Sequence, residues 1–306
     1  MNNLISQFGR RLSRLRVVSF YCAAVLVVIA LTGVFSKGLN LGLDFTGGYL
    51  TEFSTEQSLS QKQMQGLLIW YLPESFQLSS ADNGTHWTIR QTDNDFSLKG
   101  KTWLADFAEQ SGLNISPQDA IYIGSQVGDE LINQGGLALL TAMFAILLYL
   151  SLRFEWRLAM GAVIALFHDV IIVLGLFSWF GISFDLTILA SILAIIGYSL
   201  NDSIIVGDKI RELMKTNNQH NIDALINLAI KSTLVRTMIT SGTTLATIMA
   251  IWFFAGDSLN GFAIALFAGI LVGTFSSIAI SATVPQLLGL TADYYQKQEE
   301  SVCQLP

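Results

Sequence analysis

The chain has 306 residues, of which 52% are hydrophobic and 13% charged. A soluble protein of this length carries about twice that charged fraction, so the composition excludes an ordinary soluble domain and points to an integral membrane protein. The net charge of −6 gains meaning only once it is divided between two sides of a membrane, and the two cysteines, Cys22 in an apolar run and Cys303 near the C-terminus, suggest neither a disulfide nor a Cys-based metal site.

Residues 1–16 are polar and contain Arg10, Arg11, Arg14 and Arg16, whereas residues 17–35 are almost wholly apolar. About 20 apolar residues cross a hydrocarbon core. The run is too long for the apolar part of a cleaved signal peptide, and no A-x-A-like site follows it, so it predicts a first transmembrane helix. Residues 36–134 are mixed, polar and rich in turn formers. Within them Tyr49–Phe53 alternates like a strand. Ser60 can cap a helix running to about Leu72, with Met64, Leu67, Leu68 and Tyr71 on one face. Ser75–Ser80 reads as a second strand, Asp82-Asn83-Gly84 as a hairpin turn and His86–Gln91 as a third strand. Lys101–Gln110 follows as a helix with Trp103, Leu104 and Phe107 inward, then Ala120–Ile123 as a fourth strand. The order is β-α-β-β-α-β, a ferredoxin-like α+β unit.

Five more apolar runs follow at about 135–152, 157–180, 185–206, 233–255 and 261–288. They predict a five-helix membrane domain over 135–290 and a tail over 291–306. The fold class is therefore a membrane α-helical bundle of six transmembrane helices carrying one extracytoplasmic ferredoxin-like domain. Lys and Arg favour the cytoplasmic side of membrane helices. The basic stretches are the N-terminus, the 153–157 connection with Arg153 and Arg157, and the 207–232 connection with Lys209, Arg211, Lys215 and Lys231. The connections at 181–185 and 256–260 have no Lys or Arg. Every basic connection falls on one side, which predicts cytoplasmic termini and places 36–134 outside. That domain has five Lys and Arg against twelve Asp and Glu, which argues against a nucleic-acid partner. Ile222, Leu225, Ile226, Ala229 and Ile230 recur at helical spacing. This segment predicts a short helix lying on the membrane surface or packed against a neighbouring helix end.

Ionisable residues inside apolar helices are the candidate functional groups, since a charge there costs at least about 2.5 kcal/mol on insertion scales. Asp169, beside His168, lies about 18 Å into its helix, near the midplane. Asp202 lies in Gly197-Tyr198-Ser199-Leu200-Asn201-Asp202-Ser203. Arg236 opens the fifth helix and is followed on one face by Thr240, Thr243, Thr244 and Thr247. Counted from the outer ends, Asp202 and Arg236 lie at similar depths of about 26 and 29 Å, which permits contact. The plainer reading is that Arg236 snorkels to the interface and Asp202 caps a helix end. The threonine stripe favours a polar interior seam. Gly261, Ala265, Gly269, Gly273 and Ser277 recur four apart in the sixth helix, a stripe for close packing within the chain or against a partner. There is no P-loop, no G-x-S-x-G and no H-E-x-x-H, so nothing points to an enzyme. Residues 41–48 are glycine-rich, with Gly42, Asp44, Gly47 and Gly48, and read as a tight backbone passage between the first helix and the outer sheet.

That stretch, as Gly-Leu-Asp-Phe-Thr-Gly-Gly, resembles the signature that follows the first helix in the SecD/SecF family. Phe167-His168-Asp169, the 197–203 segment and Arg236-Thr237 leading into Thr240-Ser241-Gly242-Thr243-Thr244 resemble the SecF side of that family. The resemblance covers nearly the whole chain. It implies one half of an assembly similar to resistance-nodulation-division transporters, sited in the bacterial inner membrane, with SecD as the other half. It further implies association with the SecYEG channel, often with YajC, and work on preproteins driven by a proton or sodium gradient. No cofactor is implied beyond the coupling ion. On matching positions Asp202 and Arg236 are the ion-pathway residues, with Asp169 and His168 in a family motif and Tyr198, Ser199, Asn201, Thr240, Thr243 and Thr244 around them. A half-unit of a small-molecule efflux pump is the alternative, though it should carry a larger outer domain with a substrate pocket.

Overall fold

The computed structural model describes residues 2–72, 76–81, 84–91, 102–216, 221–256 and 259–291. Helix α1 (Asn2–Lys37) is followed by a short helix α2 (Leu43–Thr46) and the outer domain, built from β1 (Gly48–Thr55), α3 (Gln61–Leu68), β2 (Phe76–Ala81), β3 (His86–Gln91), α4 (Thr102–Ser111) and β4 (Ile115–Ile123). The four strands form one antiparallel sheet in the order β2-β3-β1-β4, the ferredoxin-like arrangement expected from the sequence. Ser60 closes a capping box with Gln63 at the start of α3. Phe53, Trp87 and Ile89 from the sheet meet Met64 and Leu68 from α3 and Trp103, Leu104 and Phe107 from α4 in one core. Leu67, expected on the inward face of α3, is exposed, because the helix ends at Leu68 and its inward stripe is only Met64 and Leu68. Strand β4 begins five residues before the expected Ala120. Pro117 hid its first half; it is tolerated on this edge strand beside a register shift opposite Thr51 and Phe53. Residues 82 and 83 of the expected hairpin turn lie outside the described residues.

Among the described residues, six helices are long and apolar enough to cross a membrane: the Ser13–Lys37 part of α1, the Gly128–Arg153 part of α5 (Ser125–Arg153), α6 (Trp156–Phe180), α7 (Leu186–Thr216), α8 (Ile222–Phe254), and the Asn260–Leu287 segment. The last comprises α9 (Asn260–Ser276), a π-helical turn (Ser277–Ser281) and α10 (Val284–Leu287). The helices overrun the apolar windows. Residues 125–134, read from the sequence as part of the outer domain, are the first turns of α5, since loss of apolar character ends a membrane span without ending a helix. The 207–232 connection is likewise the end of α7 and the start of α8. Its Leu225, Ile226, Ala229 and Ile230 do not lie on a membrane surface. They are buried against Phe154, Leu158, Ile210 and Met214, the helix-end contact that the spacing also allowed. Asn221 caps α8 by accepting from Asp223 N and Ala224 N. The 292–306 tail lies outside the described residues.

Arg16, Arg153 and Arg157 gather at one end of the bundle. Arg16 is 4% exposed and donates to Asp223, Asn227 and Gln286, tying α1 to α8 and α10. Arg153 pairs with Asp208, and Arg157 bonds Glu155 and the Leu288 carbonyl. The sheet domain sits at the opposite end, where Gly48 opens β1 and Gly124 caps α5.

Candidate functional site

Helix α6 is buried along most of its length and holds Asp169 in the middle of the bundle, 1% exposed. Three groups meet its carboxylate. His168 Nδ1 lies 2.9 Å from Oδ1, while Ser199 Oγ on α7 and Ser276 Oγ on α9 donate to Oδ2 at 2.5 and 2.9 Å. Close approach of α9 makes this possible. A Cβ at Gly273 would lie 3.1 Å from Ser199 Cβ and 3.4 Å from Asp169 Oδ2. Ser276 stands three residues beyond Gly273, on the same helix face, immediately before the π-helical turn, a distortion that often marks functional positions. The other ring nitrogen of His168, Nε2, is buried without a partner, and the ring borders an apolar cleft of about 300 Å³ lined by Phe20, Ala23, Val27 and Ile171.

Asp202 lies one turn beyond Ser199 on α7 and is fully buried, yet neither carboxyl oxygen has a hydrogen-bond partner. The hydroxyl of the adjacent Ser203 is also unpartnered. The contact with Arg236 allowed by their depths is not a bonded pair. No ion pair joins them among the described residues, and Arg236 is exposed on α8. The threonine stripe is not a shared seam either. Thr240, Thr243 and Thr244 bond carbonyls of their own helix, and Thr243 is exposed. The polar seam runs one face over, where Tyr198 Oη donates to Ser241 Oγ at 3.3 Å and Ser241 meets Thr274 on α9 at 2.7 Å. Asn201 is exposed. The sequence reading therefore missed Ser241, Thr274 and Ser276 as inward hydroxyls. The four-plus-three spacing of Gly269, Gly273 and Ser276 was the one available signal. The small-residue stripe packs inside the chain: a Cβ at Gly261 would meet Ile188, and one at Gly269 would lie 2.3 Å from Ile195 Cδ1.

The glycine motif joins the two halves of the molecule. Gly42 N donates to Phe184 O at 2.8 Å, and Asp44 Oδ2 accepts from Leu186 N at 3.1 Å at the start of α7. Gly47 and Gly48 then turn the chain into β1 with φ of 72° and 141°, values that L side chains rarely adopt.

Residues 104–290 match the model of the family described as protein export membrane protein SecD/SecF, C-terminal, and residues 32–58 match the SecD/SecF GG motif. The chain is 42% identical over 279 residues to the protein translocase subunit SecF of Pseudomonas aeruginosa, covering 91% of each. It is 36% identical over 285 residues to that of Escherichia coli, covering 92% of this chain and 88% of the relative. Among solved structures it is similar to SecDF, a translocon-associated membrane protein from Thermus thermophilus, with a TM-score of 0.74 and 31% identity. That match takes in 90% of this chain but only 38% of the solved one. Asp169, Asp202 and the glycine motif all lie within the matched residues, and the two family models together with these relatives show that the chain belongs to the SecD/SecF family of protein export membrane proteins, on its SecF side.

Proposed function

We propose that this translocase subunit works with SecD as an ion-driven motor in the bacterial inner membrane, with both termini cytoplasmic. In this reading a proton or sodium gradient moves the outer domains, which assist a preprotein leaving the SecYEG channel, with YajC as an accessory partner. The observation that carries it is the carboxyl of Asp202, fully buried with both oxygens unpartnered. A charged carboxylate left alone inside a membrane span is costly, so the group must take up a proton, a cation or a cationic partner. Each choice changes the charge within the bundle. One elementary charge moved through 100 mV releases about 2.3 kcal/mol, enough to bias a two-state movement about fifty-fold. Arg236, exposed on α8 at a depth similar to that of Asp202, stands ready to pair across an interface with SecD. The solved SecDF chain supports such a partner, because more than half of it lies beyond the region similar to this chain. An efflux half-unit is less well supported, since the outer sheet and its two helices close on a filled aromatic core.

The test is export into inverted membrane vesicles with and without an imposed ion gradient. Asp202→Asn removes the charge and keeps the shape. It should abolish the stimulation by the gradient while copurification with SecD is unchanged. A variant that responds to the gradient as the wild type does would sink the role assigned to Asp202.

A further inference from the structure

The passage from α1 to β1 has the hydrogen bonding of a fixed part and not of a hinge. Phe184 N donates to Asn40 O at 2.7 Å, and Gly42 N donates back to Phe184 O at 2.8 Å, so the chain pairs with the α6–α7 turn like a strand. The next residues close on themselves: Phe45 N and Thr46 N donate to Gly42 O, and Gly47 N to Leu43 O. Asp44 reaches out of this turn to the Leu186 N–H, one of the donors that the first turn of α7 leaves unpaired. Phe45 stacks on Phe184 with ring centroids 5.9 Å apart. On the far side α5 presses in, and a Cβ at Gly128 would lie 2.3 Å from Phe45 O. Gly48 then enters β1 directly, paired with Ile123 at the end of β4.

We propose that residues 40–48 form a rigid clamp between the outer end of α7 and β1. Displacement of α7, the helix that carries Ser199 and Asp202, is then carried into the outer sheet instead of being absorbed at the junction. The proposal rests on the reading of the outer domain as the part that moves during export. Asp44 is a positioning residue in it, acting through Leu186.

Two measurements on the full chain test it. The first is amide hydrogen exchange in lipid nanodiscs. Gly42, Phe184 and Leu186 should exchange slowly and as one unit in the wild type. Asp44→Ala should speed all three by about tenfold or more, as loss of a charge-assisted hydrogen bond requires, and Asp44→Asn, which keeps an oxygen acceptor, should speed them less. Independent exchange of Gly42 and Leu186 in the wild type overturns the clamp. The second is a covalent lock. Gly42 has extended φ and ψ of −75° and 174°, and its Cβ would lie 3.1 Å from Ser183 Oγ, close to the spacing across a disulfide of about 3 Å. The Ser183 hydroxyl has no partner, so its replacement loses no hydrogen bond. Gly42→Cys with Ser183→Cys, in a chain with Cys22→Ser and Cys303→Ser, should support export equally when oxidised and when reduced. Loss of export on oxidation, restored by a thiol reductant, shows that the junction must open and overturns the proposal. If the wild-type chain gives no export support, the motor reading fails, while the exchange measurement still decides the clamp.

Discussion

Removing the carboxylate of Asp169 would take the hydrogen-bond partner from the buried Ser199 Oγ and His168 Nδ1, and Ser276 would keep only its bond to Gly273 O. Asp169→Ala should therefore lower the stability of the detergent-solubilised chain by about 3 kcal/mol. Ser276→Ala, which loses a single interhelical bond, should cost about 0.6 to 1.7 kcal/mol. Reversible unfolding in mixed micelles measures both, and equal losses for the two variants would mean that the network does not centre on Asp169. Asp169 and Asp202 were legible in the sequence because a carboxylate inside an apolar run has few reasons to be there. Their hydroxyl partners were not. A serine or threonine in a helix bonds its own backbone as readily as a neighbour, as Thr240 and Thr243 do, so the residue type does not say which hydroxyls turn inward.

At the scale of helices, the contact between α7 and α9 depends on the absence of side chains. Gly269→Ala would place its methyl 2.3 Å from Ile195 Cδ1 and within 3 Å of two further carbons of that side chain, so something must shift. We expect it to destabilise the bundle by about 1 to 3 kcal/mol, with most of the loss recovered by Ile195→Val in the same chain. Gly66→Ala, on α3 with nothing within 4 Å of the added methyl, is the control and should be stabilising by up to about 1 kcal/mol. Thermal unfolding of five chains, the wild type, Gly269→Ala, Ile195→Val, their double variant and Gly66→Ala, checks this, and an additive double variant would refute a direct Gly269–Ile195 contact. The stripe was visible in the sequence, but its partner was not, because spacing along one helix carries no information about which other helix it meets. The extent of α5 and α8 was hidden for a related reason. Apolar character marks where a helix lies in hydrocarbon, and the polar turns 125–134 and the buried turns 222–232 continue the same helices beyond it.

For the molecule as a whole, the segregation of Arg16, Arg153 and Arg157 at one end and the sheet at the other gives an orientation that can be measured. A phosphatase that is active only outside the cytoplasm should be active when fused after Gly112, and a fluorescent protein that matures only inside should be bright when fused after Lys215. The reverse result would invert the molecule and with it the assignment of the outer domain to the emerging preprotein. The overall plan was the most legible level, since hydropathy and loop charge are read over tens of residues and tolerate errors at single positions. Arg16 shows the limit of that reading. Its charge marks the basic end correctly, but its burial against Asp223, Asn227 and Gln286 makes it a structural tie, which a count of basic residues does not reveal.

The pairing of Gly48 with Ile123 bears on how such a chain can change over time. The sheet domain enters and leaves the membrane bundle at two residues that face each other across one strand pair. The domain is therefore an insertion whose ends are already adjacent, the arrangement in which whole modules are exchanged with least disturbance to their host. Residues 49–122 can lengthen, shrink or be replaced by another unit with neighbouring ends, while the six spans and the 41–48 seat stay as they are. Selection can thus reshape this end of the molecule without retuning the polar groups buried within the bundle.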